Sequence, residues 1–201
     1  MEETYPLALA QYDFVPVAFF AIGAFFLARL AGRMCGARCE NLAIVGSLLI
    51  FLGGFFKAVW KLMYTLEVGD FQLLSESQFV LVAPGFMALL LVVISMARTQ
   101  RLEYSKALPM MAIAPWKIPF LAVMTLASMG VQGILTHISF RRNQKMAASG
   151  FIVAFLCLVG MGAMASGEQT VGRQWIEQSV NAIGQLGFML GSILLYTNVS
   201  R

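Results

Sequence analysis

The chain has 201 residues, 59% of them hydrophobic and only 12% charged, with a mean hydropathy of +0.78. A soluble domain carries about 25% charged residues, so a water-soluble globule is excluded. The net charge of +4 comes from basic residues grouped at the ends of apolar runs. That grouping reads as membrane topology and headgroup contact rather than nucleic-acid binding.

The apolar runs are about 20 residues long, the length a helix needs to cross a hydrocarbon core about 30 Å thick. They do not alternate as barrel strands would, and backbone groups in lipid must be paired internally, so they are helices. The expected fold is an all-α integral membrane protein forming a single transmembrane domain over residues 1–201. It is a bundle of seven transmembrane helices, with six as the alternative.

The N-terminal segment has no basic stretch ahead of a short apolar core, so no cleaved signal peptide is expected. The first helix runs from Asp13 to Gly32, with Pro16 in its first turn. Arg29, Arg33 and Arg38 mark its exit, while Glu2, Glu3 and Asp13 mark its start. The excess of Lys and Arg in short cytoplasmic loops puts the N-terminus outside, in a bacterial-type inner or plasma membrane.

The second helix, Asn41 to Leu66, returns outward and carries Lys57 and Lys61. A charge at a helix centre costs about 2.5–3.5 kcal/mol on insertion scales, so these two lysines need partners. Four residues apart, they share one helix face, with Trp60 beside Lys61. The third helix, Ser77 to Ala97, contains Pro84-Gly85, a candidate hinge.

Residues Leu102 to Pro115 are apolar but short. As a crossing they give seven helices, with ten Lys or Arg on the inner side and two on the outer. As an interfacial segment they give six, with eight inside and four outside. Charge favours seven, although fourteen residues span only about 21 Å. The remaining helices are expected at Phe120–Phe140, Met146–Ala165 and Ile176–Thr197.

A shift of 102 residues superposes Asn41 on Asn143, Ser47 on Ser149, Ser77 on Ser179 and Gly85-Phe86-Met87 on Gly187-Phe188-Met189. The expectation is a parallel pseudo-repeat with halves at about 13–98 and 118–201 and a linker at 99–117. This three-plus-one-plus-three plan resembles that of the sugar-carrier SWEET and PQ-loop families. The chain has no Pro-Gln motif on a helix, and none of those families' residues is carried over to it.

The last helix presents Glu177, Asn181 and Gln185 as a polar stripe. Lys61 is expected to pair with Glu177 or Asp13, and Lys57 to face Asn181 or Gln185. The candidate substrate-binding set is therefore Asp13, Lys57, Trp60, Lys61, Glu177, Asn181 and Gln185, with Pro84 and Gly85 as hinge. The bland alternative is that both lysines snorkel to the headgroups. The fifth helix adds a stripe of Thr125, Ser128, Gln132 and Thr136 that faces the bundle interior.

No metal and no cofactor is expected. His137 is the only histidine, and a metal site needs more ligands than one. The methionines fill gaps between helices. Cys35 and Cys39 are read as reduced structural thiols, because their spacing suits neither a redox nor a zinc motif. Metalloprotease, serine-hydrolase and phosphate-loop motifs are absent.

The favoured reading is a small carrier that takes a small polar, anionic solute through an outward-facing cavity. A non-transporting sensor or complex subunit is one alternative. A lipid-active enzyme using Asp13 or Glu177 is the other, and an enzyme is the less favoured class. Membrane lipid is the implied partner. A small solute is the second, nucleic acid is not expected, and assembly into a homo-oligomer or larger membrane complex stays open.

Overall fold

The structure, a computed structural model, describes residues 6–99, 117–164 and 170–199. Among these the chain is helical throughout: α1 (Leu7–Tyr12), α2 (Phe14–Cys35), α3 (Ala37–Thr65), α4 (Gln72–Thr99), α5 (Lys117–Arg141), α6 (Lys145–Met164) and α7 (Val171–Val199). α1 and α2 meet at Asp13, which caps both, and together form one span. Six helices are long and apolar enough to cross a membrane. The segment expected to form a further crossing, Leu102–Pro115, lies outside the described residues, as does nearly all of the 99–117 linker.

Most helices begin or end several residues beyond the apolar runs read from sequence. α7 begins at Val171 rather than Ile176, and α3 begins at Ala37 rather than Asn41. Hydrogen bonding continues past the apolar runs because nothing in these polar flanks breaks a helix. Twenty-nine residues make about 43 Å of helix, so such helices tilt or project into the headgroup layer.

The turns are set by residues that tolerate a left-handed backbone. Gly36, at φ +89°, separates α2 from α3, and Asn143, at φ +57°, lies between α5 and α6. Both residue types adopt positive φ at little cost.

The six long helices pack in chain order, and α7 packs back on α2, so the bundle is a closed ring. Most neighbours are antiparallel. Two seams are parallel. Along the α1–α2 span and α7, Tyr12 meets Trp175, Phe20 meets Phe188 and Phe26 meets Tyr196. Along α4 and α5, Val82 and Phe86 share a cavity wall with Met124 and Ser128, and further along Leu90 approaches Gly130.

Two close approaches hold the antiparallel pairs. A Cβ on Gly85 of α4 would lie 2.7 Å from Gly46 O of α3, and one on Gly187 of α7 would lie 2.7 Å from Gly150 O of α6. Small residues let backbones meet where lipid supplies no hydrophobic drive between helices.

Charge is unevenly distributed between the two ends of the ring, with Glu40 an acid at the more basic end and Arg173 a base at the more acidic one. Arg33, Arg38, Arg98, Arg141, Arg142 and Lys145 sit at the end where α2 joins α3. Glu67, Asp70, Glu76 and Glu177 sit at the other. These are called the basic and acidic ends below. Large apolar side chains such as Phe25, Val45, Leu91 and Leu156 are exposed on the flanks, as expected of surfaces that meet acyl chains.

One expectation is corrected at the basic end. Cys35 and Cys39 are joined as a disulfide rather than standing as two separate thiols. Their Cα atoms are 5.9 Å apart, within the usual bridging range of about 4.4–6.8 Å. The reason is the chain reversal at Gly36, which brings the end of α2 beside the start of α3. Motif spacing alone does not reveal such a reversal.

Candidate functional site

The ring encloses a cavity of about 220 Å³ between its middle and its acidic end. Its apolar walls include Phe20, Phe51, Phe86 and Met124. Its polar walls are Asp13, Lys57, Gln78, Gln178, Asn181 and Gln185. Toward the basic end it continues into a more enclosed lobe of about 50 Å³, and Phe20, Ser128, Asn181 and Gln185 line both. The lobe is bounded by Leu89, Val131, Gln132, Ala154 and Phe188.

Two lysines one helical turn apart have different environments. Lys61 is buried, and its Nζ lies 3.1 Å from Asp13 Oδ2, whose side chain is equally buried. The joint between α1 and α2 holds Asp13 at this depth. Of the two partners expected for Lys61, the structure pairs it with Asp13. The alternative in which both amines reach the headgroups does not fit Lys61, which is buried against Asp13.

Lys57 is exposed and lines the cavity. Among the described residues its amine has no hydrogen bond and no ion pair. The amides of Gln78, Gln178, Asn181 and Gln185 likewise have no side-chain hydrogen bond among the described residues. Two buried oxygens of the same chamber, Asp13 Oδ1 and Gln132 Oε1, also lack a partner there. Buried polar atoms are nearly always bonded, so these two oxygens stand out among the polar groups of the chamber.

The structure thus brings together Asp13, Lys57, Lys61, Asn181 and Gln185 from the sequence-derived set. Trp60 stands apart. Consecutive helical residues are about 100° apart, and its indole N–H donates instead to Asp70 Oδ1 at 2.8 Å. Glu177 does not line the cavity and pairs with Arg173 one turn earlier at 3.4 Å.

α4 runs unbroken through Pro84, which is exposed, while Gly85 is buried against α3. Of the α5 stripe, Ser128 and Gln132 reach the chamber. Ser128 also donates to Thr125 O, and Thr136 to Gln132 O.

Sequence reasoning missed Gln78 and Gln178. For Gln178 a signal existed. Residues 178, 181 and 185 follow the three-then-four spacing of one helix face more closely than 177, 181 and 185. Gln78 stands alone near the start of α4 and carried no such signal.

Among the described residues no group of three His, Cys, Asp or Glu side chains is gathered for a metal. No protein-family model matches the chain, and no curated protein or solved structure matches it.

Proposed function

We propose that this protein is a small membrane carrier that binds a small polar anion in the chamber between its two sets of three helices. The observation that carries the reading is Lys57. An amine within the span that has no protein partner either loses its proton or acquires a counter-charge. A solute anion supplies that counter-charge, and Asn181, Gln185, Gln78 and Gln178 orient it through hydrogen bonds.

Seven crossings are part of this proposal. α4 and α5 run parallel as neighbours, so the chain between them must return from the basic end to the acidic end. The 99–117 stretch is the only chain available to do so, which supports a thin fourth crossing. The two sets, α2–α4 and α5–α7, then have the same order of directions, as a parallel repeat requires. Gly85-Phe86 and Gly187-Phe188 support the repeat further: each glycine makes a close helix approach, and each phenylalanine lines the deep lobe.

The surplus of Lys and Arg at the basic end favours that end as cytoplasmic, so the N-terminus and the mouth of the cavity face outward. In alternating access the two halves would rock about the chamber, with α4 flexing at Pro84-Gly85, where a proline removes one backbone hydrogen bond.

The test is thermal unfolding of the protein in lipid nanodiscs with and without small organic anions. The reading expects at least one anion to raise the midpoint in the wild type and not in Lys57→Ala. An anion-induced rise that persists unchanged in Lys57→Ala removes Lys57 from the site. No rise with any anion removes the proposal.

A further inference from the structure

The chamber has an outer part that holds its charges and an inner lobe that holds none, and together they specify more than an anion. This inference rests on the cavity reading above and narrows its ligand. The described charges facing the chamber are Asp13 and Lys57, and Asp13 is already matched by Lys61. One positive charge is left, so a single negative charge balances the site and a doubly charged ion overfills it.

Beyond Lys57 the inner lobe mixes apolar walls, Leu89, Val131, Ala154 and Phe188, with Ser128, Gln132, Asn181 and Gln185. On α7 the chamber extends from Gln178 to Phe188, about 15 Å along the axis. A compact inorganic ion at Lys57 leaves the inner lobe empty, and its apolar walls at Leu89, Val131, Ala154 and Phe188 then forfeit contact.

Among the polar side chains of that lobe Gln132 is the one with a buried, unpartnered oxygen. Gln132 is 9% exposed, and its Oε1 is buried with no hydrogen-bond partner. A wholly apolar chain reaching the lobe would leave this acceptor unsatisfied, and a hydroxyl near the end of the chain would satisfy it.

We infer that the chamber takes an organic monoanion with a carboxylate at Lys57 and a short carbon chain in the inner lobe, bearing a hydroxyl that donates to Gln132.

The experiment uses the full chain in nanodiscs of fixed composition and measures the thermal midpoint with sodium acetate, hexanoate, 6-hydroxyhexanoate, sulfate and hexylammonium chloride at matched ionic strength. The expected order of stabilisation is 6-hydroxyhexanoate, then hexanoate, then acetate, with no Lys57-dependent rise from sulfate or hexylammonium. Lys57→Ala abolishes the whole series. Gln132→Leu removes the advantage of the hydroxyl and keeps that of the chain. Ala154→Leu, which fills the lobe, removes the advantage of the chain and keeps acetate.

The wild-type series stands by itself if either lobe variant fails to fold. A Lys57-dependent rise that is equal for acetate and hexanoate, or larger for sulfate, overturns the monoanion-with-chain assignment and leaves the anion cavity standing. A Lys57-dependent series in which hexanoate outranks 6-hydroxyhexanoate overturns the role of Gln132. Absence of any Lys57-dependent rise overturns both the ligand class and the cavity reading.

Discussion

Lys61 Nζ and Asp13 Oδ2 lie 3.1 Å apart, with side chains that are 7% and 5% exposed. Removing one partner of a buried pair leaves an uncompensated charge and costs about 3–5 kcal/mol, whereas replacing both by apolar groups is often neutral. Asp13→Leu is therefore expected to destabilise the protein strongly. The double change Asp13→Leu with Lys61→Met is expected to recover most of the loss. Thermal unfolding in nanodiscs of the two single variants and the double variant measures the coupling. Additive losses would show that the pair does not act as a unit.

Lys57 predicts the opposite sign. Its amine has no hydrogen bond or ion pair among the described residues, so Lys57→Met removes no bond. Its unfolding midpoint without ligand should equal or exceed that of the wild type, while anion-induced stabilisation disappears. A large loss of ligand-free stability would mean that Lys57 has a structural partner.

The glycines at the helix crossings can be ranked against those with open surroundings. Gly85→Ala and Gly187→Ala each drive a Cβ to 2.7 Å from a backbone carbonyl oxygen of the facing helix. Overpacking of this kind costs about 1–3 kcal/mol. Gly133 and Gly160 have nothing within 4 Å of the same added atom, so alanine there should be neutral or slightly stabilising. Midpoints of the four variants should separate into two groups.

Thiol counting tests the joint between α2 and α3. With Cys35 and Cys39 bridged and Cys157 free, the unfolded protein should take up one maleimide before reduction and three after. If the basic end is cytoplasmic, labelling and rapid quenching in intact cells should give three, because that compartment keeps thiols reduced. One in the cell and three after reduction would place the basic end in an oxidising compartment and reverse the orientation proposed above.

The fourth crossing is tested with Lys117→Cys and Arg142→Cys in a background lacking the native cysteines. Seven crossings predict that an impermeant thiol reagent added outside reaches only the position at 117. Labelling of both from outside would establish six.

The membrane-spanning helices were legible in the chain because hydropathy over about 20 residues is a strong signal. So were the paired lysines, since a charge inside an apolar run stands out against its surroundings. The choice between Asp13 and Glu177 as partner was not legible. Both carboxylates sit at the same end of the bundle, and only the packing of α2 against α3 separates them. The same holds for Cys35 and Cys39, whose approach depends on one positive φ at Gly36. Gln132 could be seen as part of a polar stripe, but whether a stripe faces a void or a neighbouring helix is decided by the other five helices, not by its own spacing.

The two parallel seams of the ring are unequal in a way that bears on motion. At the α4–α5 seam the halves share a covalent connection. At the α2–α7 seam they are held by side chains alone: stacked Phe20 and Phe188, and Arg33 lying over the ring of Tyr196. Under the carrier reading proposed above, a tethered edge acts as a spine and an untethered edge as a fore-edge, so the molecule would open like a book, with α2 and α7 parting first and Asp13 carried on the moving cover.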